Sequence, residues 1–185
     1  MSGSQIIRNR HGTPIIGIVG WKNSGKTTLA SGLIATLSER GFRVASIKHA
    51  HHAFRIDDGP TDSARHRQAG ARQVLVASNM RSALITEHDA PDDPDQRPNL
   101  LSLVNTLAPA DVIVAEGFKG SPVAKIEVRR TASLERRPLA GGVENVIAIA
   151  ADHRVADAAL PVFDLSAISE IADFVLKTCR VERSC

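Results

Sequence analysis

The chain has 185 residues, 43% of them apolar and 23% charged, with 23 basic against 20 acidic side chains and a formal charge of +3. That length suits one α/β domain whose core needs no disulfide staples, and so small a positive excess does not mark a nucleic-acid binder. The two cysteines, Cys179 and Cys185, sit at the C-terminal end and spell no disulfide or zinc framework. No apolar run approaches the roughly 20 residues of a membrane span, and the first residues carry no secretory pattern, so a cytoplasmic protein with no membrane partner is expected.

Residues 1–13 are expected to form a flexible lead-in. Ile15-Ile16-Gly17-Ile18-Val19 is continuously apolar, as in a central strand buried on both faces. Leu29, Leu33 and Leu37 recur at helical spacing with Ala30 and Ile34 beside them, and Gly41 stands where a left-handed C-terminal cap is wanted. Residues 43–47 read as a second strand ending at Lys48-His49. A polar loop over residues 51–61 precedes a short helix from near Asp62 to Gly70. Val74-Leu75-Val76 and Ala83-Leu84-Ile85 read as paired short strands.

Between His88 and Asn99 the aspartates 89, 92, 93 and 95 alternate with Pro91, Pro94 and Pro98, the pattern of an extended surface loop. Asn99 then caps a helix carrying Leu100, Val104 and Leu107. Val112-Ile113-Val114-Ala115 is a buried strand stopping at Glu116-Gly117, and residues 124–128 form a shorter one. Residues 146–150 are a late buried strand ending near Asp152, and residues 161–165 an edge strand. The final helix, capped by Ser166, carries Ile168, Ile171, Ala172, Val175, Leu176 and Cys179 on one face. The alternation predicts an α/β fold with a mostly parallel central sheet and helices on both faces. With no repeat or linker in view, residues 14–178 read as one domain and residues 179–185 as a tail.

Gly20-Trp21-Lys22-Asn23-Ser24-Gly25-Lys26-Thr27 matches G-x-x-x-x-G-K-[ST] at every fixed position, between a buried strand and a patterned helix. The glycines let successive main-chain N–H groups turn inward around an anion, and the helix N-terminus adds about half a positive charge. Lys26 is then the residue that bridges the β- and γ-phosphates, and the Thr27 hydroxyl a Mg²⁺ ligand. Thr28 follows in the same turn. A glycine-rich turn that binds nothing is the bland alternative; strand, loop, lysine, threonine and helix together favour a triphosphate site.

Such a loop needs an acid at the end of a second strand, for the metal or the attacking water. Glu116 is the candidate, against the reading of an ordinary exposed glutamate; Asp111, at the opposite end of that strand, is not. Four histidines fall in Lys48-His49-Ala50-His51-His52 and His66, and three readings stay open. His49 and His51 share a face and suit a transition metal, Lys48 and the histidines suit a phosphate or substrate, and a solvated loop needs neither. Asp57, Asp62 and Ser63 lie where a nucleotide-sensing loop is expected. One aspartate there would position water or hold Mg²⁺, although Asp62 equally suits a helix cap. Arg65, Arg67 and Arg72 meet phosphate or simply make a wet face.

Taken together, residues 20–29 (GWKNSGKTTL), 48–54 (KHAHHAF), Asp62-Ser63 with Arg65, Ala69-Gly70-Ala71, residues 111–119 (DVIVAEGFK) and 125–129 (KIEVR) resemble the molybdopterin-guanine dinucleotide biosynthesis adaptor family, MobB. The resemblance runs from about residue 14 to the final helix. It implies a P-loop fold and a GTP-binding accessory protein, weakly hydrolytic at best, related to dimeric metallochaperone-type GTPases. The implied partner is the MobA-like guanylyltransferase that joins GMP to Mo-molybdopterin, and the implied assembly a homodimer whose sheets run together. GTP and Mg²⁺ are the implied cofactors, with molybdopterin or its guanine dinucleotide as a candidate bound ligand.

In that reading Lys26, Glu116 and Asp62 serve the chemistry and Thr27 and Glu116 hold the metal. Residues 20–28 with Lys48, His49, His51 and His52 contact ligand. One departure stands out: Gly59-Pro60-Thr61 replaces the family's Pro-Gly-Lys, so the loop lacks a cation for phosphate. A guanine-reading [NT]-K-x-D is reduced to the aspartate of Ile149-Ala150-Ala151-Asp152, which leaves Asp152 as the expected guanine contact. Three other readings compete. One is a metal-delivering GTPase using His49, His51 and His52. Another is a small-molecule kinase using ATP, for which the acidic loop has the wrong charge as a lid. The last is a non-catalytic module that nucleotide merely orders.

Overall fold

A computed structural model describes residues 6–50, 56, 59–88, 99–156 and 158–182. The strands are β1 (Ile15–Gly20), β2 (Val44–Lys48), β3 (Gln73–Ala77), β4 (Ser82–Thr86), β5 (Val112–Glu116), β6 (Ala124–Arg129), β7 (Val146–Ala151) and β8 (Val162–Asp164). The helices are α1 (Lys26–Glu39), α2 (Asp62–Gln68), α3 (Leu100–Val104) and α4 (Ile168–Cys179). Chain contacts divide these into two compact units, residues 1–49 with 98–185, and residues 50–97, where the sequence reads as one domain over residues 14–178.

The larger unit is a six-stranded sheet in the order β2-β5-β1-β6-β7-β8, every neighbouring pair parallel. β1 is buried along its whole length, so its unbroken apolar run is what a strand covered on both faces requires. Period-two alternation sends Ile16, Ile18, Val112, Val114, Ile126 and Val128 to one face, against Leu29, Leu33 and Leu37 of α1 and Ile171 and Val175 of α4. Ile15, Ile113 and Ala115 turn to the other face with Leu100 and Val104 of α3. Each such Val, Leu or Ile side chain taken fully out of water contributes about 1.5–3 kcal/mol to folding.

Residues 6–13, expected as a flexible lead-in, are hydrogen-bonded to this unit. Asn9 is 8% exposed; its Oδ1 accepts from the His11 and Thr13 amides and its Nδ2 donates to Val104 O. Arg8 donates to Cys179 O at 2.8 Å. Asn99 caps α3 as expected, accepting from the Leu101 and Ser102 amides, but the helix stops before Leu107, close to Pro109. α4 starts after Ala167, whose side chain makes no cap, because Ser166 is engaged by the Asp164 carboxylate instead.

The smaller unit comprises α2 and the antiparallel pair β3–β4, in register at Val74↔Ile85, Leu75↔Leu84 and Val76↔Ala83. Its helix cap is Thr61, whose Oγ1 accepts from the Ala64 amide at 3.1 Å, and not Asp62. A β-hydroxyl one residue earlier reaches that amide, leaving Asp62 in the first turn with Arg65 at 3.6 Å. His51, His52 and Asp57, and the acidic segment from residue 89 to 98, lie outside the described residues. Among the described residues no helix is long and apolar enough to cross a membrane.

Candidate nucleotide-binding site

The loop between β1 and α1 is shaped by its glycines. A Cβ on Gly20 would fall 2.7 Å from Val128 O and collide with the Ser24 hydroxyl. Gly25, the residue before α1, has φ of +93°, a conformation that costs an L side chain about 1–2 kcal/mol. Asn23 also sits at positive φ, +61°, which asparagine tolerates. The loop therefore curls tightly at the start of a 14-residue helix, whose unpaired amides give it positive polarity. Lys26 reaches back over the curl and donates to Trp21 O at 2.6 Å. Burial lowers its pKa below that of an ordinary lysine; nearby Glu116 opposes this and Lys48 adds to it. The Ser24 hydroxyl is buried with no hydrogen-bond partner among the described residues.

Glu116 meets this helix start because alternation along β5 puts Val112, Val114 and Glu116 on the α1 side. The parallel pairing of β2 with β5 sets Lys48 beside Glu116. Thr27 Oγ1 donates to Glu116 Oε1 at 2.7 Å, and the Lys48 ammonium lies 3.1 Å from each of those oxygens. A hydroxyl and a carboxylate oxygen this close are a hard-oxygen donor pair of the kind that fits Mg²⁺, and here the Lys48 ammonium neutralises them in its place. Thr27 and Glu116 are the residues that would hold the metal, and the ion would supply charge neutralisation for phosphate oxygens.

The other expected residues divide. His49 is in the larger unit, but its ring packs on Phe118 at 5.1 Å between centroids, and its Cβ lies 2.9 Å from where a Cβ on Gly117 would be. Gly117 at φ +91° thus carries the chain past His49, whose ring packs on Phe118 at the strand end. Asp152 Oδ1 accepts from Thr131 N at 2.8 Å and Thr131 Oγ1 at 2.9 Å and lies 2.9 Å from His153 Nδ1, while Oδ2 is 3.8 Å from Arg130 Nε. Hydrogen bonding from His153, then from Thr131, holds its carboxyl down at about 2. The carboxylate expected to read guanine is thus already a turn anchor through one oxygen. Asp62 belongs to the smaller unit. Among the described residues no group of three or more His, Cys, Asp or Glu stands ready for a metal.

Two features were not anticipated. The Trp21 indole donates to Arg137 O at 2.6 Å and carries the Lys119 ammonium 3.7 Å from its ring centroid and the Arg137 guanidinium carbon at 5.3 Å. Lys125 and Glu127, 0% and 1% exposed, are buried within β6. Their signal was legible: two charges two residues apart among Ala124, Ile126 and Val128 share one face of a strand whose other face is apolar. Lys125 donates to Glu144 O at 2.7 Å, and burial lowers its pKa. Burial pushes the Glu127 carboxyl up, yet hydrogen bonds from Arg129, Leu139 and Ala140 outweigh it and leave its pKa low.

A model of the family described as Molybdopterin guanine dinucleotide synthesis protein B matches residues 15–152. A protein of Escherichia coli named Molybdopterin-guanine dinucleotide biosynthesis adapter protein is 37% identical over 165 residues, 89% of this chain and 92% of that protein. One of the same name from Haemophilus influenzae is 36% identical over 162 residues, 88% of this chain and 87% of that protein. The crystal structure of Bacillus subtilis MobB, 26% identical, superposes with a TM-score of 0.64 over 92% of this chain and 99% of that one. The parallel sheet and its helices are thus a P-loop NTPase-like α/β fold.

Proposed function

The chain belongs to the molybdopterin guanine dinucleotide synthesis protein B family, and from that premise we propose that it is an adapter of molybdenum-cofactor biosynthesis that works with Mg²⁺-GTP bound at residues 20–28. The observation that carries the nucleotide is the cluster at the start of α1, where Lys26 spans the curl and Thr27 shares its hydrogen with Glu116 at 2.7 Å. Main-chain amides and Lys26 take the phosphates. Thr27 and Glu116 take the metal, and Lys48, one residue-width away on β2, is the second cation for the phosphate tail. The accessory role is toward guanine dinucleotide formation, with a MobA-like guanylyltransferase as the partner and molybdopterin or its dinucleotide as a further ligand.

Hydrolysis, in this reading, is slow at best. Asp152 contributes to base recognition only through Oδ2, since Oδ1 is taken up by the Thr131 turn. The homodimer is supported by the hairpin of the smaller unit, where the cross-strand pair Leu75 and Leu84 is 64% and 54% exposed.

Calorimetric titration with Mg²⁺-GTP and Mg²⁺-ATP decides the nucleotide. GTP is expected to bind more tightly, and Lys26→Ala to weaken it by about a hundredfold or more, the scale of a lost charge-assisted phosphate contact. Preference for ATP, or a Lys26→Ala protein that binds as the wild type does, refutes the reading. Turnover measured with and without the guanylyltransferase separates a slow hydrolase from a module that GTP only orders.

A further inference from the structure

Glu127 sits 1% exposed in the sheet, and nothing in the cluster around Thr27 uses it. Its carboxylate closes a loop. Arg129 Nη2 donates to Oε2 at 2.9 Å, while the Leu139 and Ala140 amides donate to Oε1 at 2.7 Å and Oε2 at 2.9 Å. Both ends of the segment between residues 129 and 140 are therefore fastened to one buried group. The middle of that segment lies on the phosphate loop. Trp21 Nε1 donates to Arg137 O at 2.6 Å, and the Ser133 hydroxyl, 4% exposed, is 2.8 Å from Glu135 O within the strap and 3.1 Å from Lys22 O.

A buried carboxylate loses hydration that a packed apolar side chain would never have had, so strand stability alone does not call for it. What only a carboxylate does here is accept from two converging main-chain amides and a guanidinium at once. We propose that Glu127 is a positioning residue for the phosphate loop, acting through the 130–138 strap that it holds against Trp21 and Lys22. This rests on the reading of residues 20–28 as the nucleotide site. The strap fixes the outer wall of the curl, so the amides that meet phosphate are set before nucleotide arrives.

Trp21 is the chain's single tryptophan, so its emission reports the strap in the nucleotide-free protein. Glu127→Gln keeps the volume but offers one acceptor oxygen to two amides and turns an NH₂ toward the other. The full-length variant is expected to retain its far-UV circular dichroism, red-shift the Trp21 emission, raise its quenching by iodide and weaken Mg²⁺-GTP by about tenfold. Glu127→Asp, which keeps the charge but draws the carboxylate back by one methylene from the Leu139 and Ala140 amides, moves the same readouts in the same direction and carries the test should Glu127→Gln not fold. Leu134→Ala, on a strap side chain 92% exposed, leaves them unchanged.

A folded Glu127→Gln protein with wild-type emission and quenching overturns the proposal. So does one whose emission moves while GTP affinity stays at the wild-type value. If the wild type takes up no GTP, the nucleotide reading falls, and the Trp21 emission alone decides whether Glu127 holds the strap.

Discussion

The Lys26 ammonium sits where burial works against it. Burial draws its pKa down, and Glu116 recovers part of that while Lys48 works against it. A phosphate placed on the curl would reverse the balance, which is how a site built for an anion looks before the anion's charge is counted. Asp152 illustrates the opposite sign. Its carboxyl titrates at about 2 in the fold against an ordinary 3.8. The stability it contributes is therefore complete above the ordinary value and is lost as pH falls from about 4 toward about 2. Asp152→Asn removes that dependence. Urea midpoints across this window are expected to fall more steeply for the wild type than for the variant, and parallel slopes would contradict the Thr131–Asp152–His153 geometry. From sequence, Asp152 was legible as an acid at a strand end and, through the resemblance, as the expected guanine contact. That Thr131 reaches it across β6 and β7 depends on the pairing of Arg129 with Ala151, which no local pattern encodes.

Among the elements, α1 and α4 were readable because their apolar residues recur every three or four positions over 14 and 12 residues. Their ends were harder. α4 is preceded by Ala167 without a side-chain cap and followed by Arg180 at φ +49°, a left-handed conformation that glycine adopts more readily. Arg180 is exposed, so replacing it by glycine removes backbone strain and little else. Arg180→Gly is expected to raise stability by about 1 kcal/mol in urea unfolding, and a destabilised variant would mean that the guanidinium makes contacts worth more than the strain. The cap of α2 on Thr61, one residue before the expected Asp62, has the same origin. Both residues can cap, and only the path of the chain into the helix chooses between them.

At the scale of the molecule, the exposed pair Leu75 and Leu84 stands on a two-stranded hairpin, an element marginal in water unless something covers its apolar face. The homodimer proposed above would supply that cover. Light scattering after gel filtration is expected to give twice the chain mass for the wild type and a single chain for the Leu75→Lys, Leu84→Lys double variant, with the nucleotide affinity of residues 20–28 retained. A monomeric wild type would leave this surface to the partner enzyme and reject the dimer.

The residue order alone determined the strands, the long helices, the phosphate-loop curl and the family, because each is written in short-range periodicity or in a contiguous motif whose geometry is local. The sequence already paired Glu116 with Thr27; what the folded chain decided were the other meetings: Lys48 between those two, His49 against Phe118, Asp152 against Thr131, and the 130–138 strap tied by Glu127 to Trp21 and Lys22. These join residues far apart in the chain. Their distances follow from which strands become neighbours and in what register, a choice made by burying two faces of one sheet at once rather than by any segment's own preference.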